Sequence, residues 1–310
     1  MSYVEPFDLH GGLLLHADAP KRPELACEYA LKREKNATSY VLRLAIAGEA
    51  RMWFRIDDWW SAVTMARADG EVAIVDPIRA ATVRETKDWL RYFADALIRS
   101  PRTPLHQGTF WLTPLVETKR HKRLPPYVKP LTDVGRTFAR GREVWEPKHY
   151  GAIWPLRSAS NNDSGRVKMW RKHARAGTLP PILLLLVSPI EGYILLDGHD
   201  RLLAALLEHK RPGAIALAHL SDDARNAGHL SWQRALEEQL AKARTERFSQ
   251  QTIERFNLQL IMAHGADRYE ARTRCYPMRG GLAGFRAEVK RAVSHPDIAS
   301  DLAGIARRRR

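Results

Sequence analysis

Five consecutive residues, Asp197 to Arg201, combine side chains suited to handling a phosphate group. They read Asp-Gly-His-Asp-Arg and follow an apolar run that predicts a buried strand. The residues after Arg201 have helix-forming composition, so the motif lies where a strand leads into a helix. The free N–H groups at a helix start attract anions. We therefore interpret the motif as a candidate phosphate-binding turn.

Each member of the motif has a chemical role in this interpretation. Gly198 lets the backbone approach a ligand closely or adopt a positive φ angle. His199 and Arg201 donate hydrogen bonds to phosphate oxygens, the arginine as a bidentate fork. Asp197 can accept a proton from a substrate hydroxyl, or hold Mg²⁺ that bridges to phosphates. We predict Asp197 and His199 as catalytic residues, with Gly198, His199, Asp200 and Arg201 at the phosphates.

A purely structural interpretation of the same residues stays open. Asp-Gly is a common turn dipeptide, and Asp200 can serve as a helix N-cap. Arg201 can pair with Asp197 or with Glu208. The spacing within five residues does not separate these two interpretations.

The elements around the motif follow from local patterns. The sequence predicts a helix that ends at Gly177, a strand, a turn, a second strand, a helix after the motif and a last short strand. Their order is helix, strand, strand, helix, strand, over the ranges 166–176, 182–187, 193–196, 202–208 and 214–217.

With this setting, residues 149–220 resemble the ParB/sulfiredoxin superfamily. The matching motif residues are Asp197, Gly198, His199 and Arg201, followed by Ala204 and Ala205 in the helix. The resemblance implies that this loop binds a nucleoside di- or triphosphate (ATP, ADP or CTP), with or without Mg²⁺. Relatives repair sulfinic acids with ATP, form CTP-dependent DNA clamps or phosphorylate free serine.

Departures from the pattern narrow what the resemblance implies. Sulfiredoxins carry a cysteine inside the motif, whereas His199 directly follows Gly198 here. ParB clamps read Gly-Glu-Arg-Arg, which His199-Asp200 does not match. The Asp-Gly-His-x-Arg branch includes serine-kinase-like enzymes, whose acidic catalytic residue would correspond to Asp163. A phosphotransferase or NTPase is the function that this branch favours.

A second phosphate-side element is expected upstream, in the segment 155–164. Arg157 and Ser158 are its candidate phosphate ligands. The alternative is a solvated loop in which Asp163 or Ser164 caps the next helix.

The rest of the chain gives a coarser picture. Residues 1–116 read as a mixed α/β region, with a hairpin at 39–56, a short strand at 72–75, an amphipathic helix at 84–99 and a strand at 108–116. Residues 117–148 form a basic, proline-bearing linker. Residues 221–306 are predicted helical, over 231–248, 250–264 and 283–293, and 307–310 are a basic tail. We therefore predict an α+β fold built around a ParB/sulfiredoxin-like domain.

The formal net charge of +15 is concentrated rather than spread. Residues 118–142 contain eight Lys or Arg and one acid, and the tail contains four Arg. This pattern supports an alternative function, a DNA-binding accessory or regulatory protein that contacts the DNA backbone. Its candidate contacts are Lys119, Arg120, Lys122, Arg123, Arg171 and Lys172.

Further expectations come from what the sequence lacks. Two cysteines without CxxC spacing argue against a disulfide-rich scaffold and a cysteine-based zinc site. No signal-peptide pattern and no run of about 20 apolar residues is present. We therefore expect a cytoplasmic protein without a membrane partner. The C-terminal helices are candidates for a homodimer contact.

Overall fold

Two mixed β-sheets with helices packed around them make up the chain, a mixed α/β protein. The computed structural model describes residues 2–7, 12–33, 38–57, 62–70, 72–115, 143–147, 151–221, 237–238, 241–242, 249–250, 252–254 and 270–304. Among these residues no helix is both long and apolar enough to cross a bilayer.

The strands are β1 (Tyr3–Phe7), β2 (Gly12–Ala17), β3 (Leu25–Arg33), β4 (Thr38–Ile46), β5 (Glu49–Asp57), β6 (Ala62–Arg67), β7 (Gly108–Pro114), β8 (Glu143–Pro147), β9 (Ile153–Pro155), β10 (Ile182–Val187), β11 (Gly192–Asp197), β12 (Ala214–Ser221), β13 (Glu270–Ala271) and β14 (Cys275–Pro277). The helices are α1 (Ala80–Glu85), α2 (Trp89–Arg99), α3 (Gly165–Ala176), α4 (His199–Leu207), α5 (Gly281–Ala292) and α6 (Pro296–Leu302), and Ser188–Ile190 forms a 3₁₀ turn.

The first sheet has the strand order β1-β2-β7-β12-β10-β11-β9, and β13 pairs with β12. Strand β10 runs parallel to β12 and antiparallel to β11, and β11 runs parallel to β9. Strand β7 pairs with β12 so that Leu112 lies opposite Leu217. Strands from before residue 117 therefore share one sheet with strands of the segment 149–220.

The second sheet has the order β14-β3-β4-β5-β6-β8. One of its faces packs on the first sheet in a shared core, to which Phe54 and Met65 contribute from the second sheet, and Phe110 and Leu185 from the first. Phe285 of α5 and neighbouring side chains cover the opposite face. This sandwich brings the second sheet against the phosphate-binding candidate.

Local sequence explains the best-predicted elements. Helix α3 begins after Ser164, whose hydroxyl accepts a hydrogen bond from the Val167 N–H, and ends at Gly177 with φ +69°. Ser164 therefore does cap the helix, as the alternative for that segment proposed. The predicted hairpin is confirmed as β4 and β5, joined by Ala47-Gly48, both with positive φ. The predicted order from helix to last strand is observed as α3, β10, β11, α4 and β12.

Two predictions for the N-terminal region were wrong. The expected strand at 72–75 is irregular, although Val72, Ile74 and Val75 are buried. Their apolar side chains fill the core without joining a sheet. The single helix expected at 84–99 is two helices, because Asp88 accepts a hydrogen bond from the Arg91 N–H and starts a new helix there.

In the C-terminal region the predicted helix at 283–293 is α5, at 281–292. The predicted helices at 231–248 and 250–264 lie largely outside the described residues. The region also contains strands β13 and β14, which the helical prediction missed.

Candidate functional site

The motif lies at the predicted junction of a strand and a helix. Strand β11 ends at Asp197, Gly198 turns the chain with φ +97°, and α4 begins at His199. The motif is buried: Asp197 is 9% exposed, His199 1%, Asp200 3% and Arg201 2%. Charged residues are almost never buried this deeply without partners. The partners of each side chain therefore decide what the motif can do.

Gly198 is required by both conformation and space. Its φ lies in the left-handed region, which side chains disfavour. A Cβ atom at this position would lie 2.7 Å from Cγ2 of Ile182 and 3.0 Å from Nη2 of Arg201. The glycine therefore lets the turn lie directly on β10, with the Arg201 guanidinium beside it.

Arg201 is held by an ion pair inside the fold. Its Nη2 donates to Asp197 Oδ2 at 2.8 Å and to the Pro181 carbonyl oxygen at 3.1 Å. Its guanidinium carbon lies 5.7 Å from the centre of the Trp170 ring. Of the two structural pairings considered for Arg201, the one with Asp197 is therefore present.

Glu208, the other partner considered for Arg201, pairs with two arginines of α3 instead. It accepts hydrogen bonds from Arg171 Nε at 2.5 Å and from Arg175 Nη1 at 2.7 Å. This pairing joins α3 to the end of α4.

Asp200 ties the upstream loop to the start of α4. Its Oδ1 accepts a hydrogen bond from the Ser160 N–H at 2.7 Å, and Arg166 Nε lies 3.2 Å from its Oδ2. The N-cap of α4 is Gly198, and no side chain caps it. The alternative role of Asp200 as an N-cap is therefore wrong, since it binds a loop N–H instead.

His199 is a neutral imidazole. Its Nε2 accepts a hydrogen bond from the Arg157 N–H at 3.3 Å. Burial, followed by the charges of Arg157, Arg67, Arg201 and Arg166, holds the pKa of His199 well below its usual range. With Nε2 accepting, the single proton of the neutral ring is assigned to Nδ1.

Two buried donors of the motif have no partner among the described residues. They are Nδ1 of His199 and Nε of Arg201. Leaving a buried donor unpaired costs about 1–3 kcal/mol. Both atoms therefore keep an unused capacity to donate, for which an anionic oxygen is the strongest acceptor.

Arg67 is a site residue that sequence reasoning missed. It ends β6 of the second sheet and is 4% exposed. Its Nη1 donates to the Pro155 carbonyl oxygen and its Nη2 to the Ser158 hydroxyl, both at 3.0 Å. An arginine at the end of the apolar run Ala62–Arg67 was a visible signal, but its destination depends on how the two sheets pack.

Tyr92 of α2 also lies close enough to the motif to respond to its charges. Burial raises the pKa of Tyr92, and the negative charge of Asp197 raises that pKa further. No sequence pattern connected α2 to the motif.

The charges around His199 leave a positive excess. Four guanidinium groups, from Arg67, Arg157, Arg166 and Arg201, act on the imidazole. The motif supplies two carboxylates, Asp197 and Asp200. Since the imidazole is neutral, the group carries two net positive charges, which favours an anion at this helix start.

The structure brings some of the predicted site residues next to the motif and not others. Arg157 and Ser158 lie beside the motif, and Arg157 Nη1 donates to the Ser158 carbonyl oxygen at 2.9 Å. Lys172 is exposed on α3. The remaining DNA-contact candidates, Lys119, Arg120, Lys122 and Arg123, lie outside the described residues.

A metal site built from protein ligands alone is not present in the described part of the chain, where no three His, Cys, Asp or Glu side chains come together suitably. The predicted magnesium ligand Asp197 has one carboxylate oxygen engaged by Arg201. Any Mg²⁺ here would depend on phosphate oxygens for most of its ligands.

Comparison with protein-family models, curated proteins and solved structures gave no match to this chain. The resemblance to the ParB/sulfiredoxin superfamily stays a prediction from the motif residues and the order of the elements.

Proposed function

We propose that this chain binds a nucleoside di- or triphosphate, with its phosphates at the Asp197–Arg201 turn. The observation that carries the proposal is the pair of unpartnered buried donors, His199 Nδ1 and Arg201 Nε, at a helix start surrounded by four arginines. The ParB/sulfiredoxin-like interpretation of residues 149–220 belongs to the same proposal. The order of α3, β10, β11, α4 and β12 supports it.

Phosphate chemistry fits the donor set better than a carboxylate ligand or a neutral one. Phosphate oxygens accept many hydrogen bonds at once and carry the charge that two net positive charges favour. A neutral imidazole N–H adds a donor without adding charge. The dipole of α4 acts in the same direction.

Arg166 and Arg157 are the arginines beside the motif that keep contact with solvent. The Arg166 side chain is 43% exposed and lies against Asp200. Arg157 is half-buried, and its backbone N–H positions His199. These two guanidiniums can reach a ligand without breaking the buried Asp197–Arg201 pair.

Asp197 orients Arg201 and is the candidate base for phosphoryl transfer or hydrolysis. Mg²⁺, when bound with the nucleotide, would neutralise phosphate charge, and Asp197 would help to hold it. Catalysis would rest on positioning and charge neutralisation by Arg157, Arg166 and Arg201.

The DNA-binding alternative draws no comparable support from the described residues. Arg171 is neutralised by Glu208 at 2.5 Å, and most of the other candidate contacts lie outside these residues. It stays a prediction, which titration with duplex DNA separates from nucleotide binding.

Isothermal titration with ATP, ADP and CTP, each with and without Mg²⁺, tests the proposal. Arg166→Ala removes one exposed charged donor, which is worth about 1.5–3 kcal/mol, so we expect affinity to fall at least tenfold. Lys172→Ala, an exposed cation on the same helix, is the matched control and should leave nucleotide affinity unchanged.

Absence of binding to every nucleotide, or equal affinity in wild type and Arg166→Ala, would overturn the proposal. Titration with duplex DNA forms the second arm. Strong, salt-dependent DNA binding that weakens in Lys172→Ala, together with no nucleotide binding, would favour the DNA alternative. A phosphate-release assay on the wild-type protein then asks whether bound nucleotide is hydrolysed.

A further inference from the structure

The two cysteines of the chain are brought side by side by the second sheet. Cys27 lies in β3 and Cys275 in β14, and the two residues are directly opposite each other in parallel pairing. Both are free thiols, and their Sγ atoms are 3.1 Å apart. They are 248 residues apart in sequence, which is why their spacing gave no indication of a pair.

The backbone geometry of this pair is compatible with a disulfide. Neighbouring strands lie about 4.8 Å apart, within the Cα separations of 4.4–6.8 Å that disulfides span. A bond requires the sulfurs to approach to about 2.05 Å, a movement of about 1 Å that side-chain rotation can supply.

The two thiols differ in exposure and in proton affinity. Cys27 is buried at 6% exposure, whereas Cys275 is partly exposed. The two Sγ atoms share a hydrogen bond. This hydrogen bond lowers the pKa of Cys275, while the bond and burial raise the pKa of Cys27. Cys275 is therefore the nucleophile and Cys27 the second thiol.

We propose that Cys27 and Cys275 form a reversible redox pair, a modification site in which peroxide converts the two thiols to an intramolecular disulfide. The Cys275 thiolate attacks one oxygen of hydrogen peroxide, breaks the O–O bond and becomes a sulfenic acid, with release of one water after protonation. The Cys27 sulfur then attacks the sulfenic sulfur, loses its proton and expels a second water. Two thiols are oxidised by two electrons and one peroxide is reduced.

The position of Cys275 gives the bond a structural consequence. The segment 270–278 contains β13, which pairs with the first sheet, and β14, which pairs with the second. Between them Thr273 exchanges hydrogen bonds with Ser188, at 2.8 and 3.0 Å. A disulfide would fix this connection covalently at the edge of the second sheet.

In the test, the reduced 310-residue chain is treated with stoichiometric hydrogen peroxide, then alkylated and digested for mass spectrometry. We expect loss of both thiols, a mass lower by two hydrogens, a cross-linked peptide pair containing Cys27 and Cys275, and full recovery with dithiothreitol. The oxidised protein should melt several degrees higher, because a long loop is closed in the unfolded state.

Single substitutions separate the roles of the two cysteines. Cys27→Ser should leave Cys275 to accumulate sulfenic and then sulfinic acid, and Cys275→Ser should leave the buried Cys27 unreacted under the same treatment. Peroxide that adds oxygen atoms to wild type without the cross-linked peptide, or that links two chains instead, would overturn the proposal. So would equal reactivity of the two single variants.

Discussion

Replacing Gly198 with alanine should destabilise the protein through two separable effects. The first is conformational, since φ is +97° and a left-handed backbone costs an L-residue about 1–2 kcal/mol. The second is steric, since the added Cβ would lie 2.7 Å from Cγ2 of Ile182. Ile182 is fully buried on β10, so relief needs a shift of packed core, at about 1–3 kcal/mol. Together the two effects predict a loss of about 2–5 kcal/mol in the free energy of unfolding.

Gly177→Ala provides the matched control for the conformational effect. Gly177 also has positive φ, +69°, but no atom lies within 4 Å of its would-be Cβ. Urea denaturation followed by tryptophan fluorescence gives the free energy of unfolding of both variants. We expect Gly198→Ala to be the less stable by about 1–3 kcal/mol, the steric part alone. Equal destabilisation of the two variants would refute the close approach of the turn to β10.

Three further stability predictions follow from other contacts. Asp197→Asn leaves the Arg201 charge buried and unpaired and should lower the free energy of unfolding by about 3–5 kcal/mol. The control Asp163→Asn, at an exposed position, should lower it by under about 0.5 kcal/mol in the same urea assay. Burial, and then the charge of His219, lowers the pKa of His106 to about 4. The pKa of this side chain in the unfolded chain is near 6.5. The free energy of unfolding therefore falls as the pH drops from 6.5 toward 4, by up to about 3 kcal/mol. His106→Gln should reduce this loss in melting curves recorded at different pH values. Ser164→Ala removes the N-cap of α3 and should cost about 1 kcal/mol, while Ser164→Asp retains the cap and should cost less.

Each of these predictions has a clear contrary result. Asp197→Asn as stable as wild type would show that Arg201 is solvated. Identical pH profiles for wild type and His106→Gln would show that His106 is not buried in its neutral form. Equal losses for Ser164→Ala and Ser164→Asp would show that the hydroxyl does not cap the helix.

Local pattern was sufficient for the segment that carries the motif. The apolar runs of β10 and β11 are bounded by proline and glycine, and α3 has both a serine at its start and Gly177 at its end. These signals act within a few residues and do not depend on the rest of the chain. The junction of strand and helix at Asp197 followed directly.

Long-range packing accounts for what the sequence could not predict. Arg67 reaches the motif because the two sheets face each other, and Cys27 meets Cys275 because β14 joins the edge of β3. Neither contact can be predicted from the spacing of residues along the sequence. The irregular segment 72–75 shows the reverse case, in which a strand-like pattern reflects burial alone.

Burial of the motif limits which of its groups are left to bind a ligand. Residues expected at an open phosphate loop are mostly engaged in pairs, such as Arg201 with Asp197. What is left for a ligand is two unpartnered donors and the exposed sides of Arg157 and Arg166. In the proposed site these are the groups that would contact the phosphates.

The protonation state of His199 and its response to nucleotide test the proposed site most directly. Long-range ¹⁵N–¹H NMR on imidazole-labelled protein, assigned with His199→Gln, reports both ring nitrogens. We predict a neutral ring at pH 7 with the proton on Nδ1, because the Arg157 N–H donates to Nε2 and the pKa of His199 is lowered. Saturating ADP should shift the Nδ1 resonance as a phosphate oxygen accepts its proton in a hydrogen bond. A doubly protonated ring at pH 7, or resonances unchanged at saturation, would contradict the assignment of this turn as the phosphate site.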